Sequence, residues 1–354
     1  MLEMRYAFPV LALVATSAFA QRTLVVDASG GGQFTEIQQA VLAANPGDTI
    51  LVRPGLYDGF EVGKGVGIVG GPGVDLRPSS RTPGFITARN LPAGQRLSIR
   101  EIGTGASGST VTIEGCAGSV HLEGLRVGSW FSILSVRNSS AVTVHQTIVS
   151  STVSIAGASV VFSQCHLNSL ETALSSVTFA EGTCTGIQPI RLVSGTLTIT
   201  GDGQTSIRAN SPLPSSAIVT QGGILTIDPQ VQLVPSPGLP PISGPATVIY
   251  RTIPSLRAAL TSTQLTTALR APGAFRGHTL LGLPLQSPVA TPFGDLWIGA
   301  HVVLDSGSMP PSGVRSVTLA IPPVAPGFTI ALQGLLAMPT GIELSTPVLT
   351  TTAR

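Results

Sequence analysis

Four times between Val120 and Cys184 the chain repeats one spacing of inward-type residues, at relative positions 0, 2, 5 and 7. The copies read Val120, Leu122, Leu125, Val127; Val142, Val144, Thr147, Val149; Val160, Phe162, Cys165, Leu167; and Val177, Phe179, Gly182, Cys184. Degenerate copies begin at Leu197 and Leu225, so successive starts lie 22, 18, 17, 20 and 28 residues apart. Near-regular spacing of this length signals a solenoid, in which each coil buries its apolar face against its neighbours and the longer gaps become loops. Positions 0 and 2 share one face of a strand by period-two alternation, and the step from 2 to 5 breaks that parity as a corner does. A second strand precedes most copies: Val111-Thr112-Ile113, Val153-Ser154-Ile155 and Ile190-Arg191-Leu192. A sandwich of alternating strands is the competing reading, but it demands no fixed repeat. The expected fold class is therefore all-β, with a right-handed parallel β-helix as the main domain.

Composition fits short strands broken by turns. The chain of 354 residues contains 41 Gly and 28 Pro, and its apolar content is carried by small and β-branched side chains because aromatics are only 5%. Gly and Pro punctuate strands that Val, Ile and Thr fill. Charged residues make up 10% and the net charge is +2, which excludes an electrostatic case for nucleic acid or an anionic membrane. Three cysteines, Cys116, Cys165 and Cys184, are too few for a disulfide scaffold. Cys165 and Cys184 fall in adjacent coils and read as core, with a disulfide between them as the alternative. At the N-terminus Arg5, the apolar run Tyr6–Ala15 and Ala18-Phe19-Ala20 before Gln21 form an export signal over residues 1–20. Translation from Met4 would remove the awkward Glu3. The apolar run is shorter than the ~20 residues of a membrane span. The expected location is secreted or extracellular, with no membrane span after signal removal.

The mature chain opens with a strand, Thr23–Val26, and a Gly30-Gly31-Gly32 turn. Ile37, Ala40, Val41 and Ala44 then recur at helical spacing, Thr35 and Gln38 form a capping-box pattern, and Asn45-Pro46-Gly47-Asp48 ends the helix. A short amphipathic helix ahead of a strand series covers the open end of a solenoid. The segment Gly31 to Tyr57, with Phe34-Thr35, Ile37-Gln38, Ala40-Val41, Asn45-Pro46-Gly47-Asp48-Thr49-Ile50 and Pro54-Gly55, resembles the opening of the pectin lyase-like β-helix superfamily, including pectin methylesterases and uncharacterised secreted β-helix proteins. The resemblance implies the fold and points to carbohydrate as the partner class.

Prolines 229, 235, 237, 240, 241 and 245 suggest an extended linker over residues 229–250. Beyond it, Ile253–Leu269 reads as a short helix, and strand-like runs follow in 295–303, 317–321, 328–336 and 342–344. The expected organisation is a β-helix over 21–228 and a small antiparallel, sandwich-like β-domain over 251–354. The latter's Leu319–Pro322, Gly327–Leu335 and Ile342–Ser345 resemble a C-terminal module of secreted bacterial repeat proteins.

The family resemblance implies catalytic carboxylates or a calcium site on an exposed face, since acid–base chemistry uses paired carboxylates and hard cations need clustered ones. Between Glu101 and Asp228 the chain has only Glu101, Glu114, Glu123, Glu171, Glu181, Asp202 and Asp228, spread over many coils with no Asp-Asp pair. No cofactor or metal site is expected. Gly63–Gly67 lacks the Lys-Ser/Thr of a phosphate loop, and no serine lies in a nucleophile elbow. One constellation remains. Stacking the copies puts His121 at position 1 and Glu123 at position 3 beside His145, a carboxylate–imidazole arrangement that orients a general base or binds a metal. The bland alternative is a solvated face with a chance ion pair. Thr143, Thr178, Thr198 and Thr226 share position 1 with His121, which favours packing or regular hydration. Trp130 and Phe131 are the main aromatic candidates for stacking on sugar. The expected function is a secreted, non-catalytic β-helix protein with a structural or carbohydrate-binding role, facing a polysaccharide or cell-surface glycan. The alternative is a divergent polysaccharide lyase or esterase acting through His121, Glu123 and His145.

Overall fold

The computed structural model describes residues 22–77, 85–105, 108–128, 131–201, 204–210, 213–261, 263–320, 329–345 and 347–351. Residues 1–20, the expected export signal, lie outside the described residues, as does Trp130. The main domain is a parallel β-helix of three faces. Face A is an eleven-stranded sheet that rises from Thr23–Val26 through Arg96–Arg100, Ser119–Glu123, Ala141–His145, Ser159–Ser163, Ser175–Ala180, Gly195–Thr200 and Ile224–Ile227 to Thr247–Tyr250. Its neighbouring strands pair in parallel. A sixteen-stranded sheet supplies the other two faces. Face B runs from Gly55–Asp58 to Gln232–Val234 and face C from Phe60–Val62 to Ile242–Ser243; the long strands Ile148–Ala156 and His166–Ala173 pass through both.

Backbone conformation explains why the apolar spacing is 0, 2, 5, 7. Position 4 of successive coils is Gly124, Gln146, Gln164 and Glu181, with φ of 63, 47, 54 and 52°. A left-handed residue turns the chain through a corner and resets the alternation, so positions 5 and 7 point inward again. Glycine takes this conformation freely, whereas the larger residues do so at a cost. The larger ones are tied along the stack: Gln146 Nε2 donates to Gln164 Oε1 at 3.0 Å and Gln164 Nε2 to Glu181 Oε2 at 3.1 Å. The opposite corner repeats the device at Asn90, Gly115, Asn138, Gly157 and Leu174. Inward residues of all three faces join one continuous apolar core.

The helix Ile37–Ala43 buries Ile37, Ala40 and Val41 over the first coil. The capping box expected from Thr35 and Gln38 does not form, because the N-cap is Glu36 and no side chain caps it. Gln38 is used elsewhere: its Oε1 accepts from Glu61 N at 2.7 Å and its Nε2 donates to Glu61 O at 3.2 Å. Both backbone groups belong to Phe60–Val62, the first strand of face C, so the helix satisfies a sheet edge that no earlier coil can pair.

Two expectations about the C-terminal half are corrected. The Pro-rich segment 229–250 is a further coil, not a linker: Gln232–Val234, Ile242–Ser243 and Thr247–Tyr250 each pair in parallel with the coil before. Its prolines fall between these strands, where no ladder N–H is needed. Residues 253–269 form no helix but the antiparallel strands Ser255–Leu260 and Gln264–Arg270. Leu256, Leu265 and Leu269 turn to one side there and enter a shared core. With Val314–Ala320 these strands make a three-stranded sheet, while Arg276–Thr291, Gly294–Ser308, Thr329–Met338, Gly341–Leu344 and Val348–Thr351 make a five-stranded one. The two sheets pack through Leu256, Leu265, Leu269, Leu332, Leu336 and Val348, giving the expected small antiparallel β-domain. That domain lies against face A. Trp297 packs on Ala141 and Val161, Arg257 pairs with Glu181 at 3.1 Å, and Arg270 pairs with Asp228 at 3.1 Å.

Cys116, Cys165 and Cys184 are all free and buried, so the disulfide alternative is not realised. Burial pushes the Cys165 thiol up to about 12, which suits an inert core residue. Among the described residues no helix is long and apolar enough to cross a membrane.

Candidate functional site

The structure brings the three sequence-derived residues together. Glu123 and His145 are register partners on adjacent rungs, and His121 pairs with Thr143. His121 Nε2 lies 3.3 Å from Glu123 Oε2, and its Nδ1 lies 2.8 Å from Thr143 Oγ1. His145 Nδ1 lies 2.8 Å from Ser163 Oγ. Arg100, one rung below Glu123, donates from Nε to Glu123 Oε2 at 3.0 Å. The face is not solvated, however. His121 is 2% and His145 4% exposed, because strand Arg276–Thr291 of the C-terminal domain runs over Ser119–Glu123 and Ala141–His145. Burial is the largest influence on both imidazoles: it lowers His121, against the pull of Glu123, and takes His145 down to about 4. Burial thus favours the neutral form of both rings, each of which has a hydroxyl partner and is shut away from solvent. Chemically this is a domain contact made of polar groups that satisfy one another. Among the described residues no group of three or more His, Cys, Asp or Glu is arranged to hold a metal ion.

An open concavity lies on face B. A cleft of about 920 Å³ is lined by Asp75, Gly103, Arg126, Phe131, Ile148, Ser150, Ser151, Asn168, Thr185, Ile187 and Asn210, with neighbouring glycines. Its floor follows from the repeat. Positions 6 and 8 of each coil alternate with the buried position 7 and face outward: Arg126, Ile148, His166 and Thr183 in one column, Gly128, Ser150, Asn168 and Thr185 in the next. Between Val149 and Thr152 the ladder shifts register, so Ser150 and Ser151 together face the single residue Asn168. Such a bulge bends the strand and deepens the concavity at the junction of faces B and C. Phe131 stands 83% exposed at the rim with a φ of 65°, and Ile148 and Ile187 are also exposed.

Glycine shapes one end. Gly103 separates Asp75 from Arg126 in the register. A Cβ at Gly103 would overlap the Asp75 carboxylate and come within 3.4 Å of Arg126 Nη2, so both side chains lie over the bare backbone. Replacing Gly103 by Ala is expected to push the Asp75 and Arg126 side-chain ends aside at a cost of about 1 kcal/mol, the low end of overpacking. Gly105→Ala, with nothing within 4 Å of its Cβ, is the control and should be close to neutral in the same thermal unfolding measurement.

The cleft was readable in principle, since positions 6 and 8 are set by the same repeat that fixed the core. Positions 1 and 3, which carry His121, Glu123 and His145, lie on face A and do not reach it. Among the described lining residues Asp75 is the one carboxylate, and hydrolysis by a pair of carboxylates requires two. The lining instead offers amide and hydroxyl groups flanked by apolar side chains. No known family matches the chain, and no curated protein matches it either.

Proposed function

We propose that this protein is a secreted, non-catalytic β-helix protein of the pectin lyase-like type that binds a polysaccharide lengthwise in the face B cleft. The observation that carries the reading is the lining of that cleft. Ser150, Ser151, Asn168, Thr185 and Asn210 offer donors and acceptors to sugar hydroxyls along successive rungs, and Phe131 and Ile148 offer apolar surface to ring faces. Rungs repeat every ~4.8 Å, which suits a polymer lying along the stack rather than a compact ligand. Among the described lining residues Arg126 is the one cation and Asp75 the one carboxylate, which supports binding over hydrolysis by a carboxylate pair. The export pattern of residues 1–20 and the opening Gly31–Tyr57 support secretion and the superfamily. The burial of both imidazoles weighs against a lyase or esterase at His121, Glu123 and His145.

The test is a glycan array probed with residues 21–354. Wild-type protein is expected to capture polysaccharides of one backbone class. The double variant Asn168→Ala/Thr185→Ala should weaken that capture about tenfold, the loss of one or two hydrogen bonds. Unchanged capture by the variant removes the cleft from the account.

A further inference from the structure

The C-terminal domain is held to face A at several places; beside the Trp297 contact and the Arg257–Glu181 pair, two separated places differ in chemistry. Near the end of the β-helix, the buried Asp228 carboxylate receives Ile253 N at 2.9 Å and Arg270 Nη1 at 3.1 Å, and Arg270 also donates to the Gly201 carbonyl. Five rungs away along the sheet order, strand Arg276–Thr291 covers His121, Glu123 and His145. At ~4.8 Å per rung the two places are ~24 Å apart. The first is a fixed ion pair; the second is built from neutral imidazoles.

We propose that the His121–Glu123–His145 cluster is an acid-sensitive latch, which releases the C-terminal domain to swing away from face A about its Asp228–Arg270 anchor when the imidazoles take up protons.

The charges around the cluster make this direction the favourable one. On face A, Arg96 and Arg100 act on His121, and Glu123 acts on both histidines. Thr143 and Ser163, the other ring partners, are uncharged. The covering strand Arg276–Thr291 carries Arg276 and His278, and its hairpin partner Gly294–Ser308 carries Asp295, His301 and Asp305, of which Asp305 is engaged with Arg315 at 2.7 Å. Glu123 is already paired with Arg100 at 3.0 Å. Among the described groups that act on the rings, two added protons would therefore place two more positive charges beside Arg96, Arg100 and Glu123, with water excluded. Opening hydrates the rings and relieves that repulsion. Because burial holds His145 at about 4 in the closed form, against ~6.5 in water, the closed-to-open ratio falls about tenfold per pH unit for that residue as pH drops through this window. His121 is shifted in the same direction and adds to the effect.

Trp297 reports the latch directly, since it is buried against Ala141 and Val161 of face A. The chain has two tryptophans, so Trp130→Phe leaves Trp297 as the only one. Its emission is followed from about pH 7 to pH 3.5 with far-ultraviolet circular dichroism on the same samples. The expected result is a red shift with a midpoint between about 6.5 and 4 while the β-sheet signal persists. His121→Gln/His145→Gln in this background should lower the midpoint by about one pH unit or more. Glu123→Gln, which needs no change in either histidine, should raise it. The proposal is overturned if emission is unchanged down to pH 4, if it shifts only as the β-sheet signal is lost, or if neither variant moves the midpoint.

Discussion

Asp228→Ala is expected to cost about 3–5 kcal/mol of stability, because it strands a guanidinium in a site built for a pair. Asp228 is fully buried at the end of strand Ile224–Ile227. Its Oδ1 accepts from Gln230 N at 2.9 Å, fixing the turn into the last coil. Its Oδ2 accepts from Ile253 N and from Arg270, fixing the first residues of the C-terminal domain. One carboxylate thus terminates a strand, shapes a turn and joins two domains. Asp228→Asn keeps an acceptor for the backbone donors but loses the charge, and should fall between Ala and wild type. Urea unfolding in the Trp130→Phe background, monitored by circular dichroism and by Trp297 emission, separates the outcomes. The large loss should appear first in the tryptophan signal, since domain docking depends on the pair. A loss below about 1 kcal/mol, the range of an exposed ion pair, contradicts this assignment.

Phe162→Ala is the second large effect, at about 3–5 kcal/mol. Phe162 and Phe179 occupy the same inward position on adjacent rungs of face A, both fully buried, with centroids 6.4 Å apart and planes inclined at 48°. Removing one ring opens a cavity that β-strands hydrogen-bonded above and below cannot collapse to fill. A double-mutant cycle with Phe179→Ala should give a coupling of about 0.5–1.5 kcal/mol from the ring pair itself. Phe162→Leu, which keeps most of the volume, should cost less than half as much as Ala.

The repeat carried most of the fold because its cause is local. Inward positions must be apolar or small, and the corner at Gly124, Gln146, Gln164 and Glu181 keeps its place in each coil. Where the repeat loses regularity, local patterns and tertiary structure diverge. Proline density after Ile227 resembled a linker although each proline lies between paired strands. The alternation of Leu256, Leu265 and Leu269 was hidden among threonines. Gln38 fitted a capping box by spacing, yet a sheet edge unsatisfied by any earlier strand claimed its amide.

For the site, the register of face A was legible enough to place Glu123 against His145. What covers them was not, because docking of residues 255–351 onto face A is a contact between segments remote in sequence. Positions 1 and 3 of these coils are closed over by the C-terminal domain, and positions 6 and 8 form the exposed polar face.

The most direct test of the account is a calorimetric titration with a length series of the polysaccharide captured on the array, followed by analysis of the recovered ligand. Binding along the stacked rungs predicts affinity that rises with chain length until the cleft is filled, with every oligomer returned intact. Affinity independent of length, or recovery of shortened or modified chains, contradicts it.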